Sequence, residues 1–163
     1  MAKKSDNKSN NNAGTMIYEY GEMDSMEELN AKAAELKSEG DDEAVGKLAK
    51  ENGIDADLAD MYIQGILPEL CPDVMTAAIG KLDVEITKLS NKNHEVGAGI
   101  AEYMKQKAME DDEIARAIRK SDKSLSTICD NVWEEAEQRK NGNCAYIPPF
   151  EVFQMARAYY LEG

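Results

Sequence analysis

Histidine is almost missing from this chain: His94 is the one imidazole in 163 residues, beside a single Trp, two Phe and four Pro. A Ser-His-Asp or Cys-His relay would have to be built on that residue, which sits in the polar run Ser90-Asn91-Lys92-Asn93-His94, a poor base for nucleophilic catalysis. The cysteines are few as well. Cys71, Cys129 and Cys144 are odd in number, far apart and without a Cys-x-x-Cys spacing, so reduced thiols are expected rather than a disulfide framework. With His94 they offer no close ligand pair for zinc; Cys129 and Cys144 read as small hydrophobes.

Other signals stop short in the same way. No apolar run approaches the roughly 18 residues of a membrane span, and the N-terminal residues lack the apolar segment of a signal peptide, so a cytoplasmic protein with no membrane contact is expected. Gly97-Ala98-Gly99 lacks the third glycine, the lysine and the preceding strand of a phosphate loop. Asp55-Ala56-Asp57-Leu58-Ala59-Asp60 lacks the turn glycine and distal glutamate of a calcium loop, and reads as an acidic helix start. The expectation is a protein with no catalytic residues, no metal and no cofactor.

Bases are the next shortage. The chain holds 19 Lys and Arg against 32 Asp and Glu, a formal charge of -13. The imbalance is local: residues 17–90 carry six bases and 18 acids, whereas residues 91–163 carry ten and 13. Direct binding to nucleic acid is therefore not expected, because affinity there rests on cations displacing phosphate counterions. A basic protein surface is the better partner, although a solvated face that only keeps the chain soluble would carry the same charge.

What is present is helical periodicity. Residues 1–16 are Asn, Ser and Lys with little to bury, and are expected to form a disordered tail. Ile17 to Tyr20 reads as an extended lead-in that lays its aromatics on the following helices. Ser25 or Asp24 caps a helix that Gly40 stops, Asp41 and Asp42 open a second that ends at Asn52-Gly53, and a third follows Asp55 and breaks between Gly65 and Pro68. After Pro72, the positions Met75, Ala78, Ile79, Leu82, Ile86 and Leu89 make the cleanest apolar stripe. Helices are also expected through Ile100 to Ala108, Ile114 to Ile118, Leu125 to Ala136, and from the Pro148-Pro149 pair onward. The polar run at 90–94 reads as a linker. The expected architecture is all-α, with two small modules: an acidic one over 17–90 and a second over 91–163. Within the second, Trp133, both Phe residues and Tyr159-Tyr160 mark the expected core, with Phe150, Phe153, Ala156 and Tyr160 aligned.

The acids most suited to a partner are Glu19, Glu22, Asp24, Glu27 and Glu28, followed by Asp41, Asp42, Glu43, Asp55, Asp57 and Asp60. Carboxylates held on rigid helices can imitate a phosphate array and enter an Arg- and Lys-lined channel as a DNA mimic.

Near the C-terminus, Lys123-Ser124-Leu125 with Cys129, the loop Gly142-Asn143-Cys144-Ala145, and Glu151-Val152-Phe153 followed by Ala156 and Tyr159-Tyr160 resemble the PcfK-like family of conjugative-element proteins. The resemblance runs over residues 97–163. It implies a mobile-element protein, and through some family members an anti-CRISPR inhibitor of the type II effector nuclease with its guide RNA. Where the family pattern has paired acids before the last helix, this chain has Pro148-Pro149-Phe150-Glu151, and no functional residue carries over. The alternative expectation is a non-enzymatic accessory protein of a conjugative element that binds a transfer component or self-associates.

Overall fold

The computed structural model describes residues 18–162; the tail expected over 1–16, and Ile17, lie outside them. Among the described residues the chain is all α, with α1 (Met26–Ser38), α2 (Asp42–Glu51), α3 (Ala56–Ile63), α4 (Val74–Lys88), α5 (Asn91–Glu110), α6 (Asp112–Ile118), α7 (Leu125–Gln138) and α8 (Pro149–Leu161). None of these helices is long and apolar enough to cross a membrane.

Local chemistry sets most of the helix starts. Ser25 Oγ accepts the Glu28 N–H at 3.1 Å, Asp41 that of Ala44 at 3.0 Å, and Asp55 that of Asp57 at 2.8 Å. Asp73 does the same for Thr76 at 2.7 Å, and Ser124 for Thr127 at 3.1 Å. Each such cap satisfies a donor that the helix itself leaves free, and is worth about 1 kcal/mol. Gly40 and Gly53, at φ +75° and +69°, follow the ends of α1 and α2 in the left-handed conformation that glycine adopts without cost.

The buried side chains form two clusters. Leu29, Ala33, Leu36, Val45, Leu48 and Tyr62 of α1–α3 pack with Leu70 and Cys71 in the first. Ile100, Met104, Ile118, Leu125, Ile128 and Tyr160 of α5–α8 are in the second. α4 belongs to both: Ala77 joins the first cluster, and Val74, Ala78 and Leu82 join the second.

Two expectations are corrected at this point. The polar run at 90–94 is no linker but leads directly into α5, with Ser90 as the N-cap residue. Asn93 is buried there, its amide donating to the Asp130 carboxylate of α7 at 2.9 Å. Gly97, inside α5, is a contact residue, since a Cβ on it would fall 2.2 Å from Leu89 Cδ1 and 3.2 Å from Cys129 Sγ. The C-terminal aromatics are the second correction. Tyr160 is fully buried and Phe153 stacks on Tyr103 at 4.6 Å, but Phe150 is 62% exposed and Trp133 38%. Aliphatic residues, not the aromatic set, make up most of that core.

The lead-in joins the clusters. It is irregular, and the Glu51 carboxylate accepts the N–H groups of Glu19, Tyr20 and Gly21 at 2.6, 2.9 and 3.1 Å. Next to it, Asn52 Oδ1 accepts the Met23 N–H at 2.9 Å and the Arg119 guanidinium at 3.1 Å, linking α2, the lead-in and the end of α6. Tyr20 packs on the first cluster and Tyr18 lies under the Lys88 amine, 4.4 Å from it, so both aromatics rest on helices as expected.

Candidate functional site

The acidic residues lie in the lead-in before α1, at the starts of α1, α2 and α3, and, with Asp60, one turn into α3. Helix starts favour carboxylates on electrostatic grounds, because the first turn presents free N–H groups and the positive end of the dipole. Ten of the eleven expected partner-binding acids are exposed and Glu22 is half-buried. Glu19 pairs with Lys47 at 3.2 Å and Glu22 with Lys88 at 3.5 Å. The other nine, Asp24, Glu27, Glu28, Asp41, Asp42, Glu43, Asp55, Asp57 and Asp60, form no ion pair with a described residue. Asp41 and Asp55 also serve as caps, so their charge is needed twice.

Beside this surface lies a groove of about 680 Å³ between α2, α3 and the middle of α4. Gly46 and Ala49 of α2, Ala56 and Ala59 of α3, and Gly53 and Gly80 line it, with Asp55, Asp60 and Asp83. The last two glycines are backbone against backbone. A Cβ on Gly53 would meet the Gly80 carbonyl oxygen at 2.1 Å, and one on Gly80 would meet the Asn52 oxygen at 2.5 Å.

A second concave surface runs along α5, α7 and α8. It has about 400 Å³ and is lined by Val96, Val132, Trp133, Tyr146, Ile147 and Phe153. Tyr146 is 70% exposed at its edge, and the Lys92 amine lies 4.9 Å from the Trp133 ring. It is mostly apolar, with Glu95 as its one charged lining residue.

The most perturbed ionisable groups are internal. Lys81 is buried and donates to the carbonyls of Ile118, Lys120 and Lys123 at 2.8, 2.5 and 2.7 Å. Burial lowers its pKa and raises that of Glu85 to about 7. Glu85 accepts the Leu125 N–H at 3.2 Å. Burial also pushes the thiols of Cys71 and Cys129 up to about 11, which leaves them protonated and unreactive near neutrality. Cys144 is exposed, and so is His94, on the first turn of α5. Among the described residues, no three His, Cys, Asp or Glu side chains gather in a way that could hold a metal.

The exposed acids are legible in the sequence, but the groove and the Lys81–Glu85 pair are not. Both of the latter depend on contacts between elements far apart in the chain. The i, i+4 spacing of a Lys and a Glu within the apolar stripe of α4 was the available signal. The chain matches no family model, no curated protein and no solved structure.

Proposed function

We propose that this protein is a non-catalytic inhibitor that binds the RNA-guided type II CRISPR effector nuclease and places its acidic helices on a basic surface which otherwise holds nucleic acid. The observation that carries this reading is the set of nine unpaired carboxylates on and beside α1, α2 and α3. Unpaired acids on and just before helices that share one core have their backbone positions fixed in advance, so a complementary basic surface meets them with only side chains left to order. The proposed target has such surfaces, because its channels contact guide, target strand and displaced strand through basic side chains that follow the backbone. The C-terminal resemblance to the PcfK-like family supplies the choice of this target among basic proteins.

The direct test is a cleavage assay with guide-loaded nuclease and target DNA. Inhibition is expected, and it should weaken in a variant carrying Asp42→Lys, Glu43→Lys and Asp57→Lys, which leaves the caps Asp41 and Asp55 intact. Unimpaired cleavage at large molar excess against several orthologues would exclude the reading.

A second reading, an accessory protein of a conjugative element, is favoured by the apolar surface that Trp133 and Tyr146 line and by the exposed Phe150. Clustered apolar residues of this kind mark contact surfaces. Recovery of transfer proteins and no nuclease in a pull-down would select it.

A further inference from the structure

Two of the groove's glycines are explained by the fold, and a third is not. Gly53 and Gly80 allow α4 to touch the end of α2, since a Cβ on either would collide with backbone atoms. Gly46 lies in the interior of α2, its φ is not positive, and a Cβ built there meets nothing within 4 Å. Glycine is among the least favourable residues for a helix interior. The folded chain gains nothing from it in return. What Gly46 does is lower the α2 wall of the groove, which Leu58 and Asp60 of α3 also line.

The rest of the lining has the same character. Ala49, Ala56 and Ala59 keep the walls low, and Leu58 and Ile79 add apolar surface. The charged groups are three carboxylates, Asp55, Asp60 and Asp83, against one amine, Lys50. Their availability differs. Asp83 is paired with Lys105 of α5, and Asp55 caps α3, whereas Asp60 has no polar partner among the described residues.

We propose that this groove seats a helix of the partner protein that carries Arg or Lys. The small walls admit a helix backbone at close range, as ridge-into-groove packing requires. The apolar lining covers the alkyl stems of the basic side chains, and their charged heads reach Asp60 first and Asp55 next. This rests on the reading that the acidic half of the chain binds a basic protein surface, and adds where on that half the contact is centred and what shape fills it. Charge complementarity selects the occupant: an acidic or neutral helix would bury Asp60 without a partner.

The test uses the full chain and a fluorescein-labelled amphipathic helical peptide with Arg and Leu on one face. Binding is read by anisotropy for the unsubstituted protein, for Gly46→Leu, for Asp60→Asn, and for Glu134→Gln on α7 as a control outside the groove. Gly46→Leu fills the groove where the fold leaves space, and Leu is a better helix former than Gly, so its thermal midpoint should not fall. The expected result is binding weakened about tenfold or more in each groove variant and unchanged in the control. Equal affinity in Gly46→Leu and Asp60→Asn would overturn the proposal. The nuclease assay separates the two readings. If both groove variants inhibit cleavage as well as the unsubstituted chain, the groove is not the contact and the inhibitor reading stands. If the unsubstituted chain never inhibits but the peptide still binds and is lost in both variants, the groove stands and the inhibitor reading falls.

Discussion

Lys81 and Glu85, four residues apart on α4, cap two different helices at opposite poles. The Lys81 amine takes carbonyls at and beyond the C-terminal end of α6, at Ile118 and Lys120, and the Lys123 carbonyl. The Glu85 carboxylate takes the first N–H of α7, at Leu125. A cation at a helix C-terminus and an anion at a helix N-terminus are the arrangement that the helix dipole favours. The α6–α7 turn is therefore held from the inside by one face of α4. Arg119 is added from the far side, its guanidinium reaching Asn52.

The pair makes stability depend on pH. Burial raises the Glu85 carboxyl from 4.5 to about 7, with Glu22 adding to the rise while Lys81 and Lys88 oppose it. Because the folded value lies above the unfolded one, the contribution is fully present below about pH 4.5 and is lost as pH rises through about 7. Urea unfolding should show stability falling by up to about 3 kcal/mol between about pH 5 and about pH 8. In Glu85→Gln that fall should disappear. The same slope in both proteins would mean that another group titrates.

Lys81→Met keeps the length and apolar stem of the side chain but leaves three carbonyls without their shared donor. A buried acceptor that loses its partner costs about 1–3 kcal/mol, and the amine here serves several at once. The urea midpoint should drop by the equivalent of about 3 kcal/mol. Removing Lys81 also removes the positive charge that most opposes the rise of the Glu85 carboxyl, which should titrate still higher. The pH dependence of stability in Lys81→Met, measured against the double variant Lys81→Met, Glu85→Gln, in which nothing titrates at position 85, isolates that coupling.

Two glycines of the groove should respond to alanine with opposite signs. Gly80→Ala places a methyl 2.5 Å from the Asn52 carbonyl oxygen, a backbone atom that cannot step aside, and should cost about 2–3 kcal/mol as α4 is pushed from the end of α2. Gly46→Ala meets open space and should stabilise by about 0.5–1 kcal/mol. Thermal melts of the two variants, run side by side, give the signs directly.

These glycines also show what was legible in the sequence. Helix starts were, because a cap and its helix lie within a few residues: Ser25, Asp41 and Asp55 each bond an N–H two or three positions on. The polar run at 90–94 misled because the cause of its helicity is remote. The Asn93 amide donates to Asp130, 37 residues away, while its Oδ1 has no partner among the described residues, and Gly97 gives room to the side chains of Leu89 and Cys129. The exposed acids were legible as a set, since charge reads directly from composition. The groove was not, because it exists only where the Gly53–Gly80 contact brings α4 beside α2 and α3.

The aromatic residues of α8 give the sharpest contrast between periodicity and packing. Phe150 and Phe153 are three positions apart, which places them on neighbouring parts of one helical face. The turn at 139–148 brings the start of α8 to the rim of the bundle, where Arg139 pairs with Glu151, and Phe150 is left 62% exposed. Phe153, one turn deeper, lies parallel to the Tyr103 ring of α5 at 4.6 Å. Phe153→Ala should therefore cost about 2–3 kcal/mol, from lost apolar burial and the ring pair together, discounted because the ring is only partly buried. Phe150→Ala should change stability by less than about 0.5 kcal/mol, as substitutions of exposed residues usually do. If Phe150→Ala proves as costly as Phe153→Ala in urea, the start of α8 packs more closely in solution than its exposure indicates. If it is neutral for stability yet weakens capture of a transfer protein, the exposed start of α8 is a binding surface, which is the outcome the accessory-protein reading requires.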